Sequence, residues 1–197
     1  MAVTKLSSGS SFTNLRKYDS FLAGNPSYVP PSFESIATAT GTGSSGTITF
    51  NSIPNTYQHL QIRLRAFASS ENPAMYMRLN SDSGTNYSWH YLYGDGTSAG
   101  SQGNFNDTEI QFADWGVMSN ATYPTVAIID LINYASTSKY KTIRTFVGTD
   151  KNNTAAQGIE LDSGLWRSTS AVSSISLTVS GANFTSSSTF ALYGIKG

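Results

Sequence analysis

The sequence predicts an all-β protein: a two-sheet antiparallel sandwich, jelly-roll-like, with an extended N-terminal arm. Three observations carry that reading. Charged residues make up 12% of the 197-residue chain, about half the share in an ordinary soluble domain. Ser, Thr, Asn and Gly fill the gap, and aromatic residues, which suit a pleated half-buried surface, reach 12%. From Phe33 onward, apolar residues recur at every second position in short runs, and clusters of Gly, Asn, Asp, Ser and Pro punctuate those runs.

Residues 1–33 read as a docking arm with a short helix, and residues 34–197 as the sandwich domain. Ser7 to Ser11 is a flexible Ser/Gly run. In Phe12 to Leu22, Phe12, Leu15, Tyr18 or Asp19, and Leu22 recur at the three- to four-residue interval of one helix face. Thr13 or Asn14 can cap its start, and Gly24 followed by Pro26 ends it. Pro26, Pro30 and Pro31 then impose extended backbone. A sandwich has no use for such a segment, so its apolar and basic side chains, Phe12, Leu15, Arg16, Lys17, Tyr18, Phe21 and Leu22, are the candidate anchor to a partner.

Within the domain, Ser35 to Thr40, the glycine-rich turn Gly41 to Gly46, and Thr47 to Phe50 read as an opening hairpin. In His59 to Ala68, Leu60, Ile62, Leu64 and Ala66 face one way, and Gln61, Arg63 and Arg65 the other. Ala74 to Leu79 alternates in the same manner. Asn80 to Asn86 is a turn, and Tyr87 to Tyr93 a strand. Gly94 to Asp107 reads as a long loop, and Glu109 to Phe112 as a short strand. Thr125 to Ile132 is apolar at nearly every position, the pattern of a central strand covered on both faces. Lys141 to Val147, Ile159 to Trp166, Ile175 to Val179 and Thr189 to Gly194 complete a set of nine or ten strands, with Ser168 to Ser174 and Ser180 to Thr189 as loops.

Net charge is zero, from 12 basic and 12 acidic residues, without a basic stripe, so no nucleic-acid partner is expected. Without cysteine, disulfides and thiolate metal sites are excluded. No run reaches the ~18 apolar residues of a membrane span, and Met1 to Ser11 lacks the apolar core of a signal peptide. The expectation is a soluble protein without a membrane partner and without standard export.

No catalytic set is expected. His59 and His90 lie outside any His-x-x-x-His or His-Glu-x-x-His spacing and read as packed or edge histidines. No Gly-x-Ser-x-Gly elbow points to a nucleophile. Asp82, Asp95, Asp107 and Glu109 stand in Gly- and Asn-rich loops that suit calcium chemically, but without the Asp-x-Asp-x-Asp-Gly frame, and turn formation explains them. Asp130, inside an apolar strand, needs a partner, and Arg63, Arg65, Arg78 and Arg144 are placed to give it an ion pair across the sheet. Tyr87, Trp89, Tyr91 and Tyr93 share one face of their strand. Exposed they make a sugar-stacking platform, and buried they form a wall of the core, which is the preferred reading. A glycan would otherwise meet the Gly94 to Asp107 segment or the region around Trp115. No cofactor or metal is expected.

Several segments resemble small β-sandwich virion proteins of tailed bacteriophages, of the kind frequent in phages of cyanobacteria and marine bacteria. These are SGLWRSTSAVSSISLTVSGANF (163–184), STFALYGIKG (188–197), ITFNSIPNTYQHLQIRLRA (48–66) and MRLNSDSGTNYSWHYLYGDG (77–96), with FTNLRKYDSFLAGNP (12–26) similar to the leader of short virion proteins. The resemblance implies a non-enzymatic structural role in a virion, made in the host cytoplasm. Such domains serve as trimeric capsid cement or head-fibre proteins, or as fibre tips that touch the host. The chain has no coiled-coil shaft. One arm and one sandwich suit a capsid decoration protein, a homotrimer held to the major capsid protein or another virion protein through residues 1–33. The alternative is a tail-fibre or receptor-binding protein that contacts host surface glycans.

Overall fold

The computed structural model describes residues 32–70, 73–114, 122–152 and 158–196. The chain divides into two units, residues 1–31 and 32–197. The anchor residues Phe12, Leu15, Arg16, Lys17, Tyr18, Phe21 and Leu22 lie outside the described residues, as does Trp115.

Among the described residues the second unit is all β: β1 (Phe33–Thr40), β2 (Thr47–Phe50), β3 (His59–Ala66), β4 (Met75–Leu79), β5 (Tyr87–Gly94), β6 (Ala99–Asp107), β7 (Ile110–Phe112), β8 (Thr125–Ile132), β9 (Lys141–Thr149), β10 (Gly158–Trp166), β11 (Ile175–Val179) and β12 (Thr189–Ile195). They form an eight-stranded sheet, β1-β12-β3-β8-β9-β10-β5-β6, and a four-stranded sheet, β2-β11-β4-β7, and every pairing is antiparallel. The order β1-β12-β3-β8 over β2-β11-β4-β7 is that of a jelly roll, an eight-stranded fold of two Greek keys. The β5–β6 and β9–β10 hairpins are inserted into that frame and widen one sheet.

The core lies between the sheets and follows from alternation. Leu60, Ile62 and Leu64 of β3 and Ala127, Ile129 and Leu131 of β8 point inward, facing Ile48 and Phe50 of β2, Met75, Met77 and Leu79 of β4, and Ile175, Leu177 and Val179 of β11. Tyr87, Trp89 and Tyr91 of β5 are buried with Trp166 of β10 and extend this core over β7. The aromatic row of β5 is therefore core wall.

Four sequence expectations are corrected. Ser35 to Thr40 and Thr47 to Phe50 do not pair with each other: β1 pairs with β12 and β2 with β11, in different sheets. The glycine-rich link is a corner between sheets. It is held where the Gly41 amide donates to the Ser188 carbonyl (3.1 Å) and the Gly43 amide to that of Phe184 (2.8 Å). Most of the Gly94 to Asp107 segment is not a loop but β6, the edge strand paired along β5. Its residues, AGSQGNFND, bury almost nothing on either face and therefore carry no alternation. The strands number more than nine or ten. Finally, β8 is covered on one face only: Val126, Ile128 and Ile132 are exposed.

Candidate functional site

The outward face of the eight-stranded sheet and a buried polar cluster on its inward face hold the residues to which chemistry could be assigned. On the outward face, Gln61, Asp130 and Arg144 stand in register on β3, β8 and β9. The Asp130 carboxylate accepts from Arg144 Nη2 (2.9 Å) and Gln61 Nε2 (2.8 Å), and Gln61 Oε1 in turn accepts from Arg63 Nε (2.8 Å). This is the expected cross-sheet ion pair, and it occupies both oxygens of Asp130. His59, at the start of β3, accepts the Asn133 amide at Nδ1 (3.1 Å) and so fixes the end of β8. His90 faces solvent from β5.

The loop carboxylates are structural ties. Asp82 accepts from Trp166 Nε1 (2.7 Å), Asn86 Nδ2 (2.9 Å) and the Gly84 amide (2.8 Å). These bonds, led by that of Trp166, hold its pKa below the usual carboxylate range. Asp95 accepts the Thr97 and Ser98 amides (2.8 and 2.6 Å) and closes the β5–β6 turn. Asp107 accepts from Trp89 Nε1 (2.9 Å) and the Thr108 amide (2.7 Å). Glu109 pairs with Arg78 (3.2 Å). Among the described residues no group of three or more His, Asp or Glu side chains is arranged to hold a metal ion.

Sequence reasoning missed the inward polar cluster. Glu160 and Asp162 lie on β10 with their side chains on the same face as Trp166, and both are buried. Asp162 pairs across the sheet with Tyr91 and Thr145. Neither oxygen of Asp162 has a hydrogen-bond partner, nor has Thr145 Oγ1. Glu160 Oε2 accepts the Asp114 amide (3.2 Å), and Asp114 accepts the Tyr91 hydroxyl (2.8 Å). Burial, then the charge of Glu160, pushes the Asp162 pKa up to about 8. Burial, and then the bond to Asp114, likewise raises that of Tyr91. A carboxyl group that keeps its proton near neutral pH resembles a general acid. At 1% and 2% exposure, however, Glu160 and Asp162 are closed to any substrate. The available signal was the period of two running back from Trp166, which must point inward.

Lys141 is also fully buried, at the start of β9. Its ammonium donates to the carbonyls of Ser136 (2.8 Å) and Lys139 (2.7 Å), with that of Ser168 at 3.5 Å, so it ties the β8–β9 turn. Burial lowers its pKa.

The middle of the outward face is apolar. Beside Arg144, Phe146 stands exposed on β9, and Ile128, Leu161 and Leu92 are exposed in register with it. Among the described residues no helix is long and apolar enough to cross a membrane. No protein-family model matches the chain, and no curated protein is significantly similar to it.

Proposed function

We propose that this chain is a structural protein on the surface of a tailed-phage virion, a capsid decoration protein of the cement or head-fibre kind. In this reading residues 1–33 dock on the major capsid protein or another virion protein, and the jelly roll stands outward. The supporting observation is the division of the chain at Pro31, which separates an apolar, proline-ended segment from a sandwich with its own core. Apart from His90, which faces solvent, the described ionisable side chains discussed above fit this reading, since they tie turns and strands together or are buried. The resemblance of residues 48–66, 77–96, 163–184 and 188–197 to phage sandwich proteins supplies the virion.

Binding to capsids that lack the protein tests the proposal. The deletion ends at Pro31, because Phe33 already belongs to β1 and pairs with Ile195. The expected outcome is that the full chain co-sediments with capsids while the chain without residues 1–31 stays in the supernatant with an unchanged circular dichroism spectrum. Decoration by the shortened chain contradicts the anchor. Adsorption of the full chain to host cells or host polysaccharide, with no binding to capsids, replaces this reading with the receptor-binding one.

A further inference from the structure

We propose that the outward face of the eight-stranded sheet is a two-fold interface with a second copy of this chain, in which the Phe146 ring of each copy fills the gap above Gly148 of the other. The face carries two neighbouring rows set by the strand register. One reads Ile128, Phe146, Leu161, Leu92 across β8, β9, β10 and β5, and the other reads Val126, Gly148, Ile159, Gly94. The six larger side chains are between 42% and 60% exposed. Single exposed apolar residues are ordinary, whereas a contiguous patch of this kind marks an interaction surface. The apolar run Val126 to Ile129 of β8 has the pattern of a strand covered on both faces, and the fold covers one.

Gly148 identifies the occupant. A Cβ there would meet nothing closer than Ile159 Cγ2 at 3.7 Å, so no neighbour among the described residues requires a glycine. Glycine inside a strand weakens it and is found where something else approaches closely. The gap it leaves between Val126 and Ile159 opens into a groove of about 690 Å³, which Gly94, Pro124 and Asp150 also line.

Between the two rows runs the inward-facing row Leu64, Ala127, Val147, Glu160, Tyr93. A two-fold axis laid above that row, across the strands, exchanges the outward rows. Ile128 then falls over the partner's Val126, Phe146 over the partner's Gly148, Leu161 over the partner's Ile159 and Leu92 over the partner's Gly94. The Phe146 ring meets a glycine, and the match occurs twice because a two-fold interface uses one patch on both copies. Further out on β9, Arg144 falls over the partner's Asp150, which supplies opposite charges at both ends. Arg63 and Arg65 lie at the rim, over their own chain's Phe33, Tyr193 and Phe67 rings. The axis lays Arg63 over the partner's Arg65, a like-charge contact at the edge of the match that the four apolar pairs across β8, β9, β10 and β5 outweigh. The trimer implied by the resemblance uses a heterologous contact, which this self-matching face does not favour.

Sedimentation equilibrium of the full-length chain decides. The expected mass is twice that of the chain. Phe146→Gly and Gly148→Phe should each weaken association by about a hundredfold or more, since buried aromatic anchors dominate interfaces. The double variant F146G/G148F should restore the dimer, because the axis exchanges the two positions. Both positions face solvent in the isolated chain, so far-ultraviolet circular dichroism should be unchanged, and Ile128→Glu serves as a second disrupting variant. A monomer overturns the proposal and leaves the face to another occupant, such as residues 1–31. A trimer overturns it, and so does a double variant that fails to reassociate.

Discussion

Asp162 faces inward from β10 between Tyr91 and Thr145, and burial holds its proton up to about pH 8, against an ordinary value of 3.8. The unfolded chain releases that proton near the ordinary value. Between the two values the folded chain binds more protons, so stability falls as pH rises through that window and levels off above it. At ~1.4 kcal/mol per pKa unit the effect is on the order of a few kcal/mol. Asp162→Asn removes the titration. Its melting temperature is expected to match the parent near pH 4 and to exceed it by a widening margin up to pH 8, as read by calorimetry. A margin constant with pH contradicts the assignment. Asp82 shows the opposite behaviour: its carboxylate is held ionised by Trp166, Asn86 and Gly84. Asp82→Ala is expected to cost about 2–3 kcal/mol in denaturant unfolding at pH 7, because it leaves the indole N–H without its charged acceptor.

At the scale of the strand, β9 and β12 each contain a glycine, for different reasons. A Cβ at Gly194 of β12 would lie 2.3 Å from the Tyr57 ring, whose hydroxyl donates to Glu34 at 2.9 Å. Gly194→Ala therefore overpacks a fixed ring and is expected to cost about 1–3 kcal/mol. Within one copy Gly148→Ala meets only ordinary contacts, and in the monomeric Ile128→Glu background it should leave thermal stability unchanged or slightly raised. Equal destabilisation of the two variants contradicts this reading. Strands with one buried face were legible because alternation reports burial: β3 reads HLQIRLRA and β4 reads MYMRL, and both bury every second residue. β6 was not legible, since an edge strand that buries nothing leaves no period to read. The partners of β1 and β2 were hidden because a corner between sheets has the same glycine-rich composition as a hairpin turn. In β8 the sequence pattern pointed to a second cover, which the fold leaves open. In β10 the acidic residues concealed an inward face that Trp166 fixes.

At the scale of the molecule, the jelly roll was legible from the number and patterning of its strands, whereas the widening of one sheet to eight strands was not. That widening depends on where the β5–β6 and β9–β10 hairpins pair, which no local pattern encodes. It creates a broad outward face whose middle is apolar. The residues read as an anchor, from Phe12 to Leu22, precede this domain in a unit of their own. Both features suit a protein that works through contact with neighbours, one surface for each kind of neighbour. The central claim is that those neighbours belong to a phage capsid. Electron cryomicroscopy of the intact particle, with the chain located by a bound antibody fragment, tests it most directly. Antibody density is expected over the capsid shell at regularly repeated positions, with the sandwich outermost. Density confined to the tail or its fibres, or particles that carry none of the protein, would contradict it.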